Sequence, residues 1–434
     1  MAQRVNFGKL PQIMDLPKLV DIQTKSFSDF LQINRPENKR ENKGLQEIFK
    51  SVFPIESSDR TYRLEFVNYS LARPRYEIKE CLRLGVSYAA PLKLTLRLKS
   101  KSETKEQEVY LGELPLMTET GSFVINGDER VVVSQLHRSP GISFEENVHP
   151  SGKRLFSARL IPYRGAWMEL VFDINDVLFV VIDRRKKVLA TALLRVFGCE
   201  KDENILAAFC GLEKISPLSS GKLRKLLGRT LACPITDPAT GQIIADRFEK
   251  LSEPVIKKLG AASRIEKIIL LKKDVPEILN TLTKDRTRTK EEASIEIYRK
   301  LRPADPATPE AASALIKRLF FDPKRYDLGK VGRYILNRKL KLKHGLQERL
   351  LDLETLNFAI RALIDLRAGL GKTDDIDHLG NRRVRTVAEL LQNQFRIGLA
   401  RLERTVKDRM AIYDLENMTP HSLVNSKLVS TVIK

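Results

Sequence analysis

The sequence predicts an α+β fold, multidomain, with mixed sheets and helices. Strict alternation in "PLKLTLRLK" (91–99) and an Asn-Gly pair between apolar runs at 122–134 call for antiparallel sheet. Elsewhere apolar residues recur at i, i+3, i+4 and i+7, the spacing of amphipathic helices. A chain of 434 residues has room for roughly two to four domains with separate cores. No internal repeat is present.

Taken in order, Pro17 sits where a first helical turn tolerates proline, ahead of Val20, Phe27, Phe30 and Leu31. Leu45, Ile48, Phe49 and Val52 mark a second helix that stops before Pro54. In the 91–99 strand Leu92, Leu94, Leu96 and Leu98 share one face, and Lys93, Thr95, Arg97 and Lys99 share the other. Asn126-Gly127 turns a hairpin within "SFVINGDERVVVS". "AWMELVFD" reads as a strand with Trp167 on its more polar face, and "DVLFVVID" (176–183) as a strand covered on both faces. From about residue 190 the pattern turns mostly helical. Thr308 caps a helix with Pro309 at its first position. A long helix over about 386–410 carries Val387, Leu391, Phe395, Leu399, Leu402 and Val406 as its apolar seam. The charged stretches 35–43, 99–108 and 283–292 read as solvated loops.

Composition narrows the partner. Seventy-six Lys plus Arg against 55 Asp plus Glu leave a net charge of +21. Such an excess favours a polyanion, because each neutralised phosphate releases condensed counterions. The longest strongly apolar run, Val177 to Ile182, is too short to span a bilayer, and "MAQRVNFGKL" lacks the apolar centre of a signal peptide. Four cysteines without Cys-x-x-Cys spacing argue against structural zinc and disulfides, and make a reducing cytoplasm the expected compartment.

The segment "DDIDHLGNRRVR" (374–385) leaves three readings open. Its carboxylates could bind magnesium, its charges could form a self-neutralising loop, or an acid and guanidinium groups could read the edge of a base. "GLGKT" (369–373) is not a P-loop, because position 366 is Leu and helix precedes it; a glycine turn ending a helix fits better. Arg138 stands before a Ser-Pro-Gly turn at an exposed corner. Trp167 is either core or a stacking platform for an unpaired base. "RRKK" (Arg184, Arg185, Lys186, Lys187) and the stretch 324–343, with Lys339, Lys341 and Lys343, are expected to touch nucleic acid. Arg401, Arg404 and Lys407 recur at three-residue steps and either track a backbone or are solvated. The five histidines show no His-x-x-x-His spacing, and no nucleophile elbow is present.

Several long segments together resemble a known family. "GSFVINGDERVVVSQLHRSPG" (121–141), "SARLIPYRGAWMELVFD" (157–173), "IDRRKK" (182–187), "DDIDHLGNRRVR" and "NQFRIGLARLERTVKDRM" (393–410) are similar to the N-terminal part of the bacterial RNA polymerase β subunit. "GLQEIFKSVFPI" (44–55) and "EIYRKLRPADPATPEAA" (296–312) fit the same family.

The resemblance implies a fragment with a discontinuous protrusion domain (1–139 and 381–434) and an inserted lobe (140–380). It implies that Asp377 accepts from an unpaired guanine, with Arg382 and Arg138 as donors and Ile376 as an apolar wall. Trp167 would stack on the neighbouring base. The basic residues Arg184, Arg185, Lys339 and Lys341 would line the DNA channel. The whole enzyme would be a nucleotidyltransferase whose magnesium ions are held by the β′ subunit, with no cofactor and no catalytic residue in this chain. Expected partners are downstream and nontemplate DNA, the α, β′ and ω subunits and a sigma factor, in a cytoplasmic, nucleoid-associated setting. A free-standing single-strand-binding protein is the alternative.

Overall fold

The computed structural model describes residues 8, 18–57, 59–100, 103–184, 186–216, 226–237, 242–261, 268–412 and 418–433. Pro17 and Arg185 lie outside the described residues. The chain forms two compact units, Met1–His137 with Arg383–Lys434, and Arg138–Arg382. Helices and strands mix in both, as an α+β protein requires.

The first unit is built on a four-stranded antiparallel meander of Ile55–Glu56, Arg63–Leu71, Ala89–Lys99 and Thr104–Pro115. In the third strand Leu92, Leu94, Leu96 and Leu98 are all buried, as alternation requires. They meet the helices Asp21–Leu31 and Gly44–Val52 through Phe27, Phe30, Leu45, Ile48 and Phe49. The Val387–Ile412 helix closes this core with Phe395, Leu399, Leu402 and Val406, so residues far apart in sequence share one interior. Leu391 of the expected seam is only partly buried. The Phe30 and Phe395 rings stand 5.8 Å apart, and Arg396 pairs with Glu47 at 2.7 Å.

Three expectations are corrected in this unit. Val20 precedes the first helix and is exposed, so the apolar face begins at Phe27. From Thr104 on, the 99–108 segment is strand rather than loop: its charged residues enter the Thr104–Pro115 strand, where alternating Glu side chains face the basic row of the neighbouring strand. Asn126 (φ 53°) and Gly127 (φ 84°) do form the hairpin turn. Its second arm, however, stops at Arg130, and the apolar run Val131–Val133 is not a strand. Arg401 and Arg404 are exposed, while Lys407 pairs with Glu403 one helical turn away at 2.8 Å.

The second unit carries a five-stranded antiparallel sheet, in the order Lys187–Leu189, Leu178–Ile182, Met168–Phe172, Arg154–Ile161, Gly141–Val148. Its inner face, including Ile142, Leu160, Met168, Leu170 and Val180, packs on a helical layer. The Leu178–Ile182 strand alternates buried with half-buried positions rather than being fully covered on both faces. Thr308 caps the Pro309–Ile316 helix by accepting from the Ala311 N–H at 3.2 Å. The region after residue 190 is less helical than its sequence suggests. Short strands Leu212–Ile215, Ile235–Thr236, Ile243–Ala245 and Ile268–Leu271 surround a small separate core. The 283–292 stretch is not simply solvated either. Asp285 is 2% exposed, accepts from Thr287, and pairs with the buried Arg195 at 3.3 Å.

Candidate nucleic-acid interface

The 374–385 segment follows the Leu353–Arg367 helix, which ends in a glycine turn. Gly369 (φ 79°) donates to the Leu366 carbonyl at 3.0 Å, and Leu370 to that of Asp365 at 2.9 Å. This double bond pattern satisfies the last helical carbonyls and turns the chain out, so "GLGKT" is a helix stop.

From there most of the charged residues are engaged. The Asp374 N–H donates to the Phe144 carbonyl, and Asp374 Oδ2 accepts from the Phe144 N–H, both at 2.8 Å. The pair covers the free edge of the Gly141–Val148 strand, the last in its sheet. Lys339 Nζ donates to the same Oδ2 at 2.7 Å and to the Ile142 carbonyl at 2.9 Å. Asp375 Oδ1 accepts from the backbone N–H groups of Asp377 (3.0 Å) and His378 (3.3 Å), an Asx-type turn. Asn381 ties the loop back through its side chain to the Asp375 carbonyl at 2.6 Å, while its own carbonyl accepts from the Ser139 N–H at 3.0 Å. Arg383 makes a bidentate pair with Glu389 at 2.7 and 2.6 Å, and Arg385 adds a contact to the same carboxylate at 3.5 Å.

Two charges remain. Among the described residues, the exposed Asp377 carboxylate and the half-buried Arg382 guanidinium have no hydrogen bond or ion pair. Asp374 and Asp375 are committed to structure, so the carboxylates do not converge as a metal site would require.

Beside the loop lies a small cleft of about 30 Å³, lined among others by Arg138, Ile142, Ile335, Lys339, Asp374 and Ile376. One water needs about 10–15 Å³ of such space, so the cleft admits solvent but no purine ring. The sequence-predicted residues Arg138 and Ile376 therefore meet here, while Asp377 and Arg382 do not line the cleft. Gly141 makes the close approach possible. At φ 135° a Cβ on it would stand 2.6 Å from Ile335 Cγ2, inside contact distance.

Trp167 lies in a second cleft, of about 260 Å³, with Asp183 and Arg184. Its backbone N–H donates to Asp183 Oδ1 at 2.8 Å, and its backbone carbonyl accepts from the Asp183 N–H at 2.9 Å. Asp183 (φ 49°) and Arg184 (φ 57°) both hold left-handed backbone, which costs non-glycine residues about 1–2 kcal/mol each. The turn sets the Arg184 guanidinium 5.6 Å from the indole centroid, a cation–π contact.

The two clefts are distinct, yet one face of the sheet links them. Arg138 pairs with Glu145 at 2.5 Å, Arg159 with Glu145 at 3.3 Å, and Arg159 with Glu169 at 2.9 Å. Glu169 stands opposite Arg159 in the register, two residues from Trp167 and on the same side of the pleat. This alternating row crosses three strands from the Arg138 cleft toward the indole.

The remaining basic candidates divide. Lys341 (φ 55°) ends the Gly329–Leu340 helix and is exposed, as is Lys343. Lys339 is instead bound internally, as described above. Arg333 in the same stretch is 1% exposed and donates to the carbonyls of Glu348 (2.6 Å) and Leu350 (2.5 Å). Sequence reasoning missed Glu145 and Asn381, and took Asp374 for a possible metal ligand rather than a loop anchor. Their partners lie far away in sequence, 230 residues in the case of Asp374 and Phe144.

Comparison with known proteins assigns the family. A family model described as "RNA polymerase beta subunit" matches residues 18–431. The chain is 46% identical to the DNA-directed RNA polymerase subunit beta of Methylacidiphilum infernorum, with 100% of this chain and 35% of the relative aligned. It is 45% identical to that of Chlamydia pneumoniae over 100% of this chain and 35% of the relative. For Geobacter sulfurreducens the identity is 42%, over 99% of this chain and 36% of the relative. The chain thus spans about 35% of the length of these relatives, and it belongs to the RNA polymerase beta subunit family.

Proposed function

We propose that this chain is the N-terminal part of an RNA polymerase β subunit, that its Arg138–Arg382 unit is the lobe, and that this lobe holds DNA and reads an unpaired guanine. The other unit is then the protrusion. The observation that carries the proposal is the pair of uncommitted charges, Asp377 and Arg382, on a loop whose other charges are all engaged.

A carboxylate accepts from the imino and amino groups of a guanine edge, and guanidinium groups donate to O6, N7 or phosphate. In this account Asp377 takes the first role and Arg382 the second. Arg138, steadied by Glu145, supplies the positive wall, and Ile376 the apolar one. The cleft is too small to swallow a ring, so the base is held at its rim. The neighbouring base stacks on Trp167 beside Arg184. Arg184, Lys341 and Lys343 attract the phosphates, with Arg185 assigned to the same group from sequence alone.

The polymerase as a whole would transfer nucleotides with two magnesium ions bound by its β′ subunit. The aspartates at 374–377 do not fit such a site, because Lys339 neutralises Asp374 and Asp375 accepts backbone donors. Assembly with α, β′, ω and a sigma factor, on cytoplasmic nucleoid DNA, belongs to the same proposal. Among the described residues no helix is long and apolar enough to cross a membrane.

The test is binding of the chain to a forked duplex with two unpaired bases. Trp167→Ala should weaken fork binding by about 1–3 kcal/mol, the usual worth of one base–aromatic stack, and leave fully paired duplex unchanged. Equal losses on both substrates would reject the stacking role.

A further inference from the structure

Away from this interface, the loop between the Gly329–Leu340 and Leu353–Arg367 helices brings an imidazole onto two carboxylates. His344 Nε2 stands 3.3 Å from Asp352 Oδ2 and 3.3 Å from Glu354 Oε2. The His344 side chain is 16% exposed, and its Nε2 is shielded from solvent with no hydrogen-bond partner. We propose that His344, Asp352 and Glu354 form a binding site for a divalent transition-metal ion of the zinc class.

Distance separates this assignment from a plain ion pair. An imidazolium bonded to a carboxylate closes to about 2.7–2.9 Å with a well-aligned N–H. Zinc bonds to nitrogen and oxygen are about 2.0–2.2 Å, so two ligands at a tetrahedral angle stand roughly 3.3–3.5 Å apart. Both observed separations match the second figure, and the three donor atoms lie within 4.8 Å of one another.

The imidazole is also set for ligation. Its Nδ1 lies 2.8 Å from Glu348 Oε2, and the other oxygen of Glu348 accepts from the Gly345 N–H at 3.0 Å. A carboxylate on Nδ1 fixes the tautomer that leaves the Nε2 lone pair facing the metal, the usual outer support of a histidine ligand. Asp352 is steadied as well. As helix cap it accepts from the Thr355 N–H at 3.3 Å, and the buried Arg333 approaches its Oδ1 at 3.5 Å.

Two effects oppose a cation here, the positive end of the helix and the Arg333 guanidinium. The helix end amounts to about half a positive charge and Arg333 to one, whereas Glu348, Asp352 and Glu354 bring three negative charges. One nitrogen with two oxygens disfavours magnesium and calcium, which prefer oxygen alone. Glu354 is 59% exposed, which leaves an open side for a water ligand. Sequence spacing hides the set, because His344 and Asp352 are separated by a loop that Arg333 folds back.

The experiment uses the chain stripped with a chelator and titrated with Co²⁺, followed by competition with Zn²⁺. The proposal expects one saturable site with a four-coordinate Co²⁺ absorption band that Zn²⁺ displaces. His344→Gln should abolish the band. The exposed Glu354→Gln, which carries less risk to folding, should weaken Co²⁺ binding at least tenfold, and Glu348→Gln by about 10–100-fold. Absence of a saturable band in the unaltered chain, or an unchanged affinity in Glu354→Gln, would overturn the site and leave a histidine–carboxylate ion pair.

Discussion

On the sheet of the first unit Lys93, Arg97 and Lys99 alternate along one strand, and each meets a glutamate. The pairs are Lys93–Glu108 at 2.8 Å, Arg97–Glu106 at 2.9 Å and Lys99–Glu65 at 2.9 Å. The carboxyl of Glu108 is held below its usual range by its hydrogen bonds to Lys93 and Ser70. In the second unit the loop that begins at Asp374 has acids and an arginine just as dense, but they serve different masters. Lys339 takes Asp374, backbone amides take Asp375, and Asp377 and Arg382 are left over. Charge density alone therefore says little. A basic row that finds its counter-charges across a strand is scaffold, while charges left without partners on an ordered loop are available to a ligand.

That contrast can be broken or sharpened by substitution. The largest effect belongs to a third class, charges paired in the interior. Arg195→Met should destabilise the chain by about 3–5 kcal/mol, because it leaves Asp285 buried without its counter-ion. Denaturant midpoints with unchanged slopes would measure it, and a loss under 1 kcal/mol would show that Asp285 finds another partner. Next comes Lys339→Met, which strips the loop anchor from Asp374. A loss of about 1–3 kcal/mol is expected for a carboxylate left with the Phe144 N–H but without its counter-ion, together with a weaker guanine preference. An unaltered preference would separate the anchor from the reader.

The smallest effects compare the two surfaces directly. Lys341→Gln should reduce the salt slope of DNA binding by about one unit, whereas Lys93→Gln should leave that slope unchanged and cost at most about 1 kcal/mol of stability. Equal slopes for both variants would erase the distinction between scaffold and interface.

Local rules made much of the fold legible. Alternation placed Leu92 to Leu98 inside, Asn126-Gly127 turned its hairpin, Thr308 capped its helix, and the seam of Phe395, Leu399, Leu402 and Val406 is buried. Each depends on neighbours within a turn or a strand. The failures have the opposite character. The 99–108 stretch looked like a solvated loop because the charges it brings into the Thr104–Pro115 strand are neutralised only by a neighbouring strand. Asp285 looked solvated because its partner Arg195 is 90 residues away. For the candidate site, the motif around Asp377 and Trp167 was visible. The anchoring by Lys339 and Phe144 was not, since nothing in a single sequence reports which distant donors a carboxylate will meet.

The most direct measurement is the affinity of Asp377→Ala for forks that differ only in the unpaired base. Loss of about 1–3 kcal/mol for guanine, with thymine nearly unaffected, is the result expected when one carboxylate reads that edge. Identical losses for all four bases would mean that Asp377 serves the loop and not the base.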